Sequence, residues 1–277
     1  MSNTMFMWAG SKQRMLKAYE GKLVPNVELK RIVDMFAGGL TCSLYFAEKF
    51  NTKLVINDGN KEIISMYRHI AHNENELMNE WKKIVEDYLP LSKDERKSFY
   101  YSLRDEYTQK FGTEDSIKLS AILLFMLQTN FNGFWMAYKK FDYKYSTPVG
   151  LCVQKQSFFN SKEKKIKYCA NILRKATILN YDFRDIPLEE GDFIYADPPY
   201  RESFLKYQGF IEEDQIALCK LLESHKGFWA YSNSNLEDDF YKTHMPSGII
   251  HDFPVTYTAG RGTTVKAKEV LITNFRS

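Results

Sequence analysis

Residues 197–200 read Asp-Pro-Pro-Tyr, directly after the apolar run at 193–196. Two prolines fix φ and carry no N–H. The carbonyl of Pro198 is therefore left as an acceptor beside the carboxylate of Asp197. A carboxylate next to a carbonyl is a clamp for the two hydrogens of an exocyclic –NH2 group. Holding both N–H bonds out of the ring plane localises the nitrogen lone pair and turns a conjugated amine into a nucleophile. Tyr200 adds an aromatic face for a heteroaromatic ring taken out of its stack. Pro199 completes the turn. The plainer reading, a proline pair that merely ends a strand, does not account for the second constellation.

That second constellation is Asp34-Met-Phe36-Ala-Gly38-Gly39, followed by Asp58. The Asp34 to Gly39 stretch lies at the end of an apolar strand-like run at 31–36, and the glycines let backbone approach a ligand. Asp58 ends the next apolar run, 20 residues past Gly38, where an acid can accept from ribose hydroxyls. Neither G-x-G-x-x-G nor G-x-x-x-x-G-K-[ST] occurs. A pyrophosphate is therefore not the indicated ligand, and a nucleoside carrying an amino-acid tail fits better.

The elements that must position these groups form an α/β pattern. Residues 31–36 and 52–58 read as strands joined by a helix that Thr41 is placed to cap. Residues 176–182, 191–200, 227–235, 249–258 and 268–275 read as further strands, with a helix at 212–225. Between the halves the period is helical. Ile63, Met66, Tyr67 and Ile70 share one helical face, as do Leu77, Trp81, Ile84, Val85 and Tyr88. A further helix is expected near 115–129 and a basic one at 162–175, with a loop or short hairpin at 139–160. The expected division is a sheet domain from 1–62 and 176–277 with a mostly helical insertion at 63–175.

With 277 residues, 44% hydrophobic and 26% charged, the chain can bury a sizeable core. Its longest strongly apolar run, 121–127, is too short to span a bilayer, and no signal-peptide pattern opens it. No membrane association and a cytoplasmic setting are expected, in a bacterial cell or phage-infected host. Cys42, Cys152, Cys169 and Cys219 are widely spaced and read as reduced thiols, not a zinc site. No metal is expected. The net charge is +3. Residues 139–175 hold ten Lys and Arg against two acids, +8, which leaves −5 for the remainder. A basic stretch on a mildly acidic chain suggests a docking face for a polyanion.

Phe6-Met-Trp8-Ala-Gly-Ser-Lys12, the Asp34 to Gly39 run, Asn57-Asp58, Tyr181-Asp182-Phe183 and Asp197-Pro-Pro-Tyr200 occur in this order. Together they resemble the Dam-type DNA adenine-N6 methyltransferases (D12 class, alpha group), in the form found in many bacteriophages. The resemblance spans nearly the whole chain. It implies a Rossmann-like class I methyltransferase sheet with a target-recognition insertion, S-adenosyl-L-methionine as donor, and double-stranded DNA as partner. It gives Trp8 and Lys12 to the segment that closes over the cofactor and holds its carboxylate. Asp34, Phe36, Gly38 and Gly39 match the cofactor loop, and Asp58 the ribose acid. Asp182 and Phe183 match residues beside the cofactor's adenine. Asp197 to Tyr200 match the catalytic motif, and Tyr207 a residue that shapes the site after it. No obligate protein partner is implied.

For DNA, the resemblance singles out the segment Gln128 to Trp135 and the loop after it. Asn130, Asn132, Tyr138, Lys139, Lys140 and Lys144 are the candidate contacts, with Arg261 in a late loop. Lysines attract phosphates without regard to sequence, and interleaved aromatics can stack on bases. GATC-reading relatives carry an arginine in this loop, whereas residues 136–145 read MAYKKFDYKY. A bidentate arginine–guanine contact is not available there. GATC is the default expectation for the target. Transfer to cytosine N4 or to RNA adenine, and a nucleic-acid binder without activity, are the other readings; D-P-P-Y and the intact motifs favour adenine and activity. Asp197 either takes the N6 proton or only orients the amine.

Overall fold

The computed structural model describes residues 4–201, 210–258 and 264–276. Its frame is a seven-stranded sheet in the order β3-β2-β1-β4-β5-β7-β6. The strands are β1 (Arg31–Asp34), β2 (Lys53–Asn57), β3 (Thr177–Leu179), β4 (Phe193–Ala196), β5 (Phe228–Ser234), β6 (Ile249–Thr258) and β7 (Thr264–Thr273). β1 pairs in parallel with β2 and β4, and β4 with β5; β7 runs antiparallel between β5 and β6. The order reverses between β1 and β4, the switch point outside which α/β proteins place their ligands. This is the expected Rossmann-like methyltransferase sheet.

Central parallel strands must be apolar on both faces. In β4 all of Phe193 to Ala196 are buried, and in β1 Ile32, Val33 and Asp34 are. Asp34 lies opposite Tyr195, so the end of β1 and Asp197 just beyond β4 are close in register. Val33, Val55, Ile194, Leu218, Trp229 and Ile272 form the core under this edge.

Several strand ends differ from the sequence pattern; β4 stops at Ala196, four residues before the expected 200, because prolines carry no N–H for the ladder. β3 stops at Leu179 because the next residues bond sideways to β2. Asn180 donates to the Asp58 carbonyl at 2.8 Å, and the N–H of Tyr181 donates to Asn57 Oδ1 at 2.9 Å. β7 begins earlier than expected, in a ten-residue ladder with β6. Pro254 is tolerated because β6 is the edge strand.

Chain contacts define two compact units. One comprises Lys12–Ala37, Tyr45–Gly59 and Leu179–Ser277 and holds most of the sheet. It also contains α1 (Gln13–Ala18), α8 (Glu212–Ser224) and α9 (Phe240–His244). α2 (Thr41–Lys49) begins in the other unit; Thr41 is its first residue, not its cap, and its hydroxyl bonds Ser11 Oγ at 2.7 Å.

The other unit comprises Met1–Ser11, Gly38–Leu44 and Asn60–Ile178. It contains α3 (Lys61–His72), α4 (Glu74–Tyr88), α5 (Lys93–Lys110), α6 (Ile117–Thr129) and α7 (Gln156–Leu173). α6 is buried from Leu119 to Thr129 and packs against α3, α4 and α5. Trp81 fills one side of this core, its ring N–H donating to Gln128 Oε1 at 2.9 Å. Asn60 caps α3, and a Ser92/Glu95 capping box opens α5. α7 begins six residues before the expected 162 and buries Phe159 in its first turns. All four cysteines are buried and none is in a disulfide. No helix among the described residues is long and apolar enough to cross a membrane.

One ion pair fastens the site strands at their other end. Arg31, which opens β1, pairs through Nε with Asp192 Oδ1 at 2.8 Å and donates from Nη2 to Oδ2 at 3.0 Å. The Asp192 side chain is fully buried. Removing one partner of such a pair strands a buried charge, which costs about 3–5 kcal/mol. Arg31→Met is expected to lower unfolding stability by about that amount in a urea titration, and Arg31→Met with Asp192→Leu to recover most of it. An Arg31→Met loss within about 0.5 kcal/mol would show that the pair does not hold the strands.

Candidate active site

Asp197 leaves β4 at the switch point with its side chain 16% exposed. Both of its oxygens are engaged by one ammonium group. Lys12 Nζ donates to Oδ1 at 2.6 Å and to Oδ2 at 2.8 Å. Lys12 stands just before α1, is 2% exposed, and lies 4.7 Å from the centre of the Tyr200 ring. Ser232 Oγ, from β5, donates to Asp197 Oδ1 at 3.0 Å. Burial pushes the Asp197 carboxyl above its ordinary value, while Lys12 pulls it down. Burial works against the Lys12 ammonium too, but the carboxylates of Asp197 and Glu269 outweigh it and hold Lys12 above the usual lysine value. Lys12 is charged. Asp197 is thus a two-oxygen acceptor already shaped around a primary nitrogen.

The proline turn is fixed from behind. Gln215 Nε2 donates to the Pro199 carbonyl at 2.7 Å. Tyr231 donates to Gln215 Oε1 at 3.0 Å, and Asn233 Nδ2 to the Tyr231 oxygen at 2.8 Å. Asn233 Oδ1 then accepts from the Arg201 N–H at 3.3 Å. Gln215, Tyr231 and Asn233 are all buried. No short motif announces them; the polar run Ser232-Asn-Ser-Asn235 in an otherwise apolar strand is the signal that was available.

The same unit gathers most of the expected cofactor residues. Asp34 is 1% exposed at the end of β1. Phe36 and Phe183 lie 6.0 Å apart by ring centres, with Phe210 edge-on to Phe36 at 5.6 Å. Asn57 ties this edge together: its Nδ2 donates to the carbonyls of Met35 at 3.0 Å and Tyr181 at 3.1 Å. Asp58, half-buried, follows directly. Asp182 is exposed, accepts from the Arg184 N–H at 3.0 Å and pairs with the Arg184 guanidinium. Acids beside an aromatic pair are a donor set suited to a nucleoside. Lys12, which the resemblance gives to the cofactor's carboxylate, bonds Asp197. Tyr207 lies outside the described residues.

Trp8, Gly38 and Gly39 belong to the helical unit. Gly38 has φ +43°, and a Cβ there would stand 2.7 Å from Trp8 Nε1. A Cβ on Gly39 would stand 2.5 Å from Trp8 Cβ. The glycines are therefore required by the indole. Tyr67 donates to the Gly38 carbonyl, and Trp135 lies 5.8 Å from Trp8 by ring centres. The N–H of Ala9 donates to the Gly133 carbonyl at 3.0 Å, so the Trp8 segment and the Asn130 to Trp135 segment support each other.

Residues 130–150 form a hairpin-like loop, with bridges Asn130–Val149 and Ala137–Tyr145 and a 3-10 turn at Lys139–Phe141. Its hub is the buried Tyr145. Glu62, at the start of α3, accepts the Tyr145 N–H at 3.1 and 3.2 Å, and burial pushes its carboxyl up to about 7. Asn130 is consumed inside the loop. Its Nδ2 donates to Phe134 O at 3.0 Å and Tyr145 Oη at 2.9 Å, and its Oδ1 accepts from Gly133 at 3.1 Å. Lys144 is half-buried and donates to the Thr108 carbonyl at 2.8 Å. Asn132, Tyr138, Lys139 and Lys140 are exposed, as are Phe131 and Tyr143. Arg261 lies outside the described residues.

The D12 class N6 adenine-specific DNA methyltransferase family matches residues 8–252. Type II methyltransferase M.MjaIII of Methanocaldococcus jannaschii is 28% identical over 254 residues, 86% of this chain and 86% of that protein. Type II methyltransferase M1.LlaDCHI of Lactococcus lactis subsp. cremoris is 28% identical over 290 aligned residues, 97% and 94% of the two chains. Retron Ec67 DNA adenine methylase of Escherichia coli is 28% identical over 225 residues, 80% and 72%. Since the family match runs from the segment bearing Lys12 through the Asp-Pro-Pro-Tyr strand end, the chain belongs to the D12 class of N6 adenine-specific DNA methyltransferases.

Proposed function

We propose that this protein transfers a methyl group from S-adenosyl-L-methionine to N6 of an adenine flipped out of double-stranded DNA, within a short site for which GATC is the default. The observation that carries the reading is Asp197: both of its oxygens hold one primary nitrogen, that of Lys12, at hydrogen-bond distance. An exocyclic amine asks for the same acceptors.

The donor set fits the cofactor. Asp58 suits ribose hydroxyls, and Phe36 and Phe183 suit a purine. The resemblance adds Asp34, Asp182, Trp8, Gly38 and Gly39 to the same task. When bound, S-adenosyl-L-methionine supplies an electrophilic methyl group on a sulfonium. This chain's residues do the rest. Asp197 accepts a hydrogen bond from N6 and orients the lone pair, the Pro198 carbonyl accepts the second N6 hydrogen, and Tyr200 stacks on the base; the proton that N6 sheds on methylation leaves to Asp197 or to solvent. No cysteine lies in a motif, so no covalent intermediate on the protein is invoked. On the helical unit, Asn132, Tyr138, Lys139 and Lys140 are the exposed groups that meet DNA. Asn130 and Lys144 hold the hairpin that presents them. Without an arginine in this hairpin, guanine is read more weakly than a bidentate contact would allow.

Radiolabelled methyl transfer to plasmid, with and without prior full methylation at GATC, tests the reading. Label on the unmethylated plasmid alone is the outcome for GATC. Label on both replaces GATC with another site, and label on neither contradicts methyl transfer to DNA. Asp197→Ala is expected to lower kcat by about 10²–10⁴-fold, read in the same assay on the unmethylated plasmid; full activity would remove Asp197 from the chemistry.

Burial raises the Asp197 pKa, and Lys12 opposes it most strongly, with a smaller pull from the Ser232 hydroxyl. In Lys12→Met the stronger pull is gone, so the carboxyl pKa rises further and the acceptor form is lost from a higher pH downward. The acid limb of the kcat/KM profile is expected to move to higher pH. An unmoved limb would mean that Lys12 does not set the ionisation of Asp197.

A further inference from the structure

The strand opposite β5 carries a second buried carboxylate, Glu269, which is 5% exposed. On the β5–β7 ladder Ser234 lies opposite Glu269 and Ser232 opposite Leu271. Directly opposed residues share a sheet face, and so do residues two apart. Glu269 therefore rises from the same face as Ser232, whose hydroxyl donates to Asp197. Tyr19 donates to Glu269 Oε2 at 3.2 Å. Tyr19 closes α1 seven residues after Lys12, about two helical turns, so their side chains leave the helix on one face. That face reaches two acids: Tyr19 takes Glu269 and Lys12 takes Asp197. Lys12 also feels the charge of Glu269.

One buried ammonium with two buried carboxylates has two places to rest. If Asp197 were its only counter-charge, an amine could take the Asp197 oxygens only by leaving Lys12 buried and uncompensated, a state that costs several kcal/mol. Lys12 would then stay and compete. We propose that Glu269 is a positioning residue for methyl transfer, the counter-charge onto which Lys12 withdraws when a target amine takes the oxygens of Asp197. The proposal rests on the reading of Asp197 as the amine clamp.

The test is steady-state kinetics of the full chain on duplex DNA, comparing the unaltered protein with Glu269→Gln. Glutamine keeps an oxygen for Tyr19 while it removes the charge and replaces the other acceptor oxygen by an –NH2 group. The expected result is a fall of about 10- to 100-fold in kcat/KM for DNA. KM for S-adenosyl-L-methionine should move by less than about threefold, since the loss concerns the target amine and not the donor. Glu269→Asp should recover part of the rate. The double variant Lys12→Met, Glu269→Gln should lose no more than Lys12→Met alone, because the charge that Glu269 serves is already gone. An unchanged kcat/KM in Glu269→Gln, losses that multiply in the double variant, or a loss carried by the donor's KM would each overturn the proposal. Absence of transfer by the unaltered protein would instead overturn the reading of Asp197, and this inference with it.

Discussion

The sheet unit depends on the ion pair between Lys12 and Asp197. Two charges taken out of water are stable only when geometry is good and the remaining lone pairs are satisfied. Ser232 supplies one further donor to Asp197, and Tyr200 lies over the ammonium. Each partner comes from a different element, so the pair dictates register. A one-residue slip of β5 would turn Ser232 to the other face of the sheet. Arg31 and Asp192 fasten β1 to the start of β4, and the chain Asn233–Tyr231–Gln215 fixes the proline turn after its end. β4 is thus held at both ends by polar groups in an otherwise apolar core.

The helical unit solves a different problem, the rigid display of a loop. Tyr145, Asn130 and Glu62 are buried polar groups bonded to one another, to the Tyr100 hydroxyl and to the backbone. Such networks rigidify when every member is satisfied. The N-terminal segment carrying Trp8 is part of the same support, through Ala9 and Gly133. What remains on the surface is a set of aromatics, an asparagine at φ +53° and lysines. Residues that build the loop and residues that can leave it for a partner are therefore separate, although both sit in one short stretch of sequence.

Much of this was legible in the sequence because the determinants are local. Strand ends with acids, a glycine pair and a proline pair are short-range features with short-range causes, and β1, β2 and β4 fall where the apolar runs lie. What was not legible depends on partners far along the chain. β3 ends early because Asn57, more than a hundred residues away, takes its backbone. α5 has few buried residues, only Tyr100, Leu103 and Tyr107, so it lacks the apolar stripe that marks a helix, and only its capping box announces it. Asn130 is a candidate DNA contact only through the resemblance of its segment; its three internal hydrogen bonds, which tie it into the hairpin, are not visible in the sequence. Glu269 lies outside every short motif, and the β5–β7 register alone brings it to the face of Ser232.

The most direct measurement is the identity of the product nucleoside. Duplex DNA incubated with the protein and S-adenosyl-L-methionine is digested to nucleosides and separated by mass. An acceptor built for one exocyclic amine of adenine predicts N6-methyladenine as the methylated nucleoside, absent when Asp197 is replaced by alanine. Methyl groups found on cytosine N4 instead, or N6-methyladenine formed equally by Asp197→Ala, would contradict the assignment of Asp197 as the clamp for the target amine.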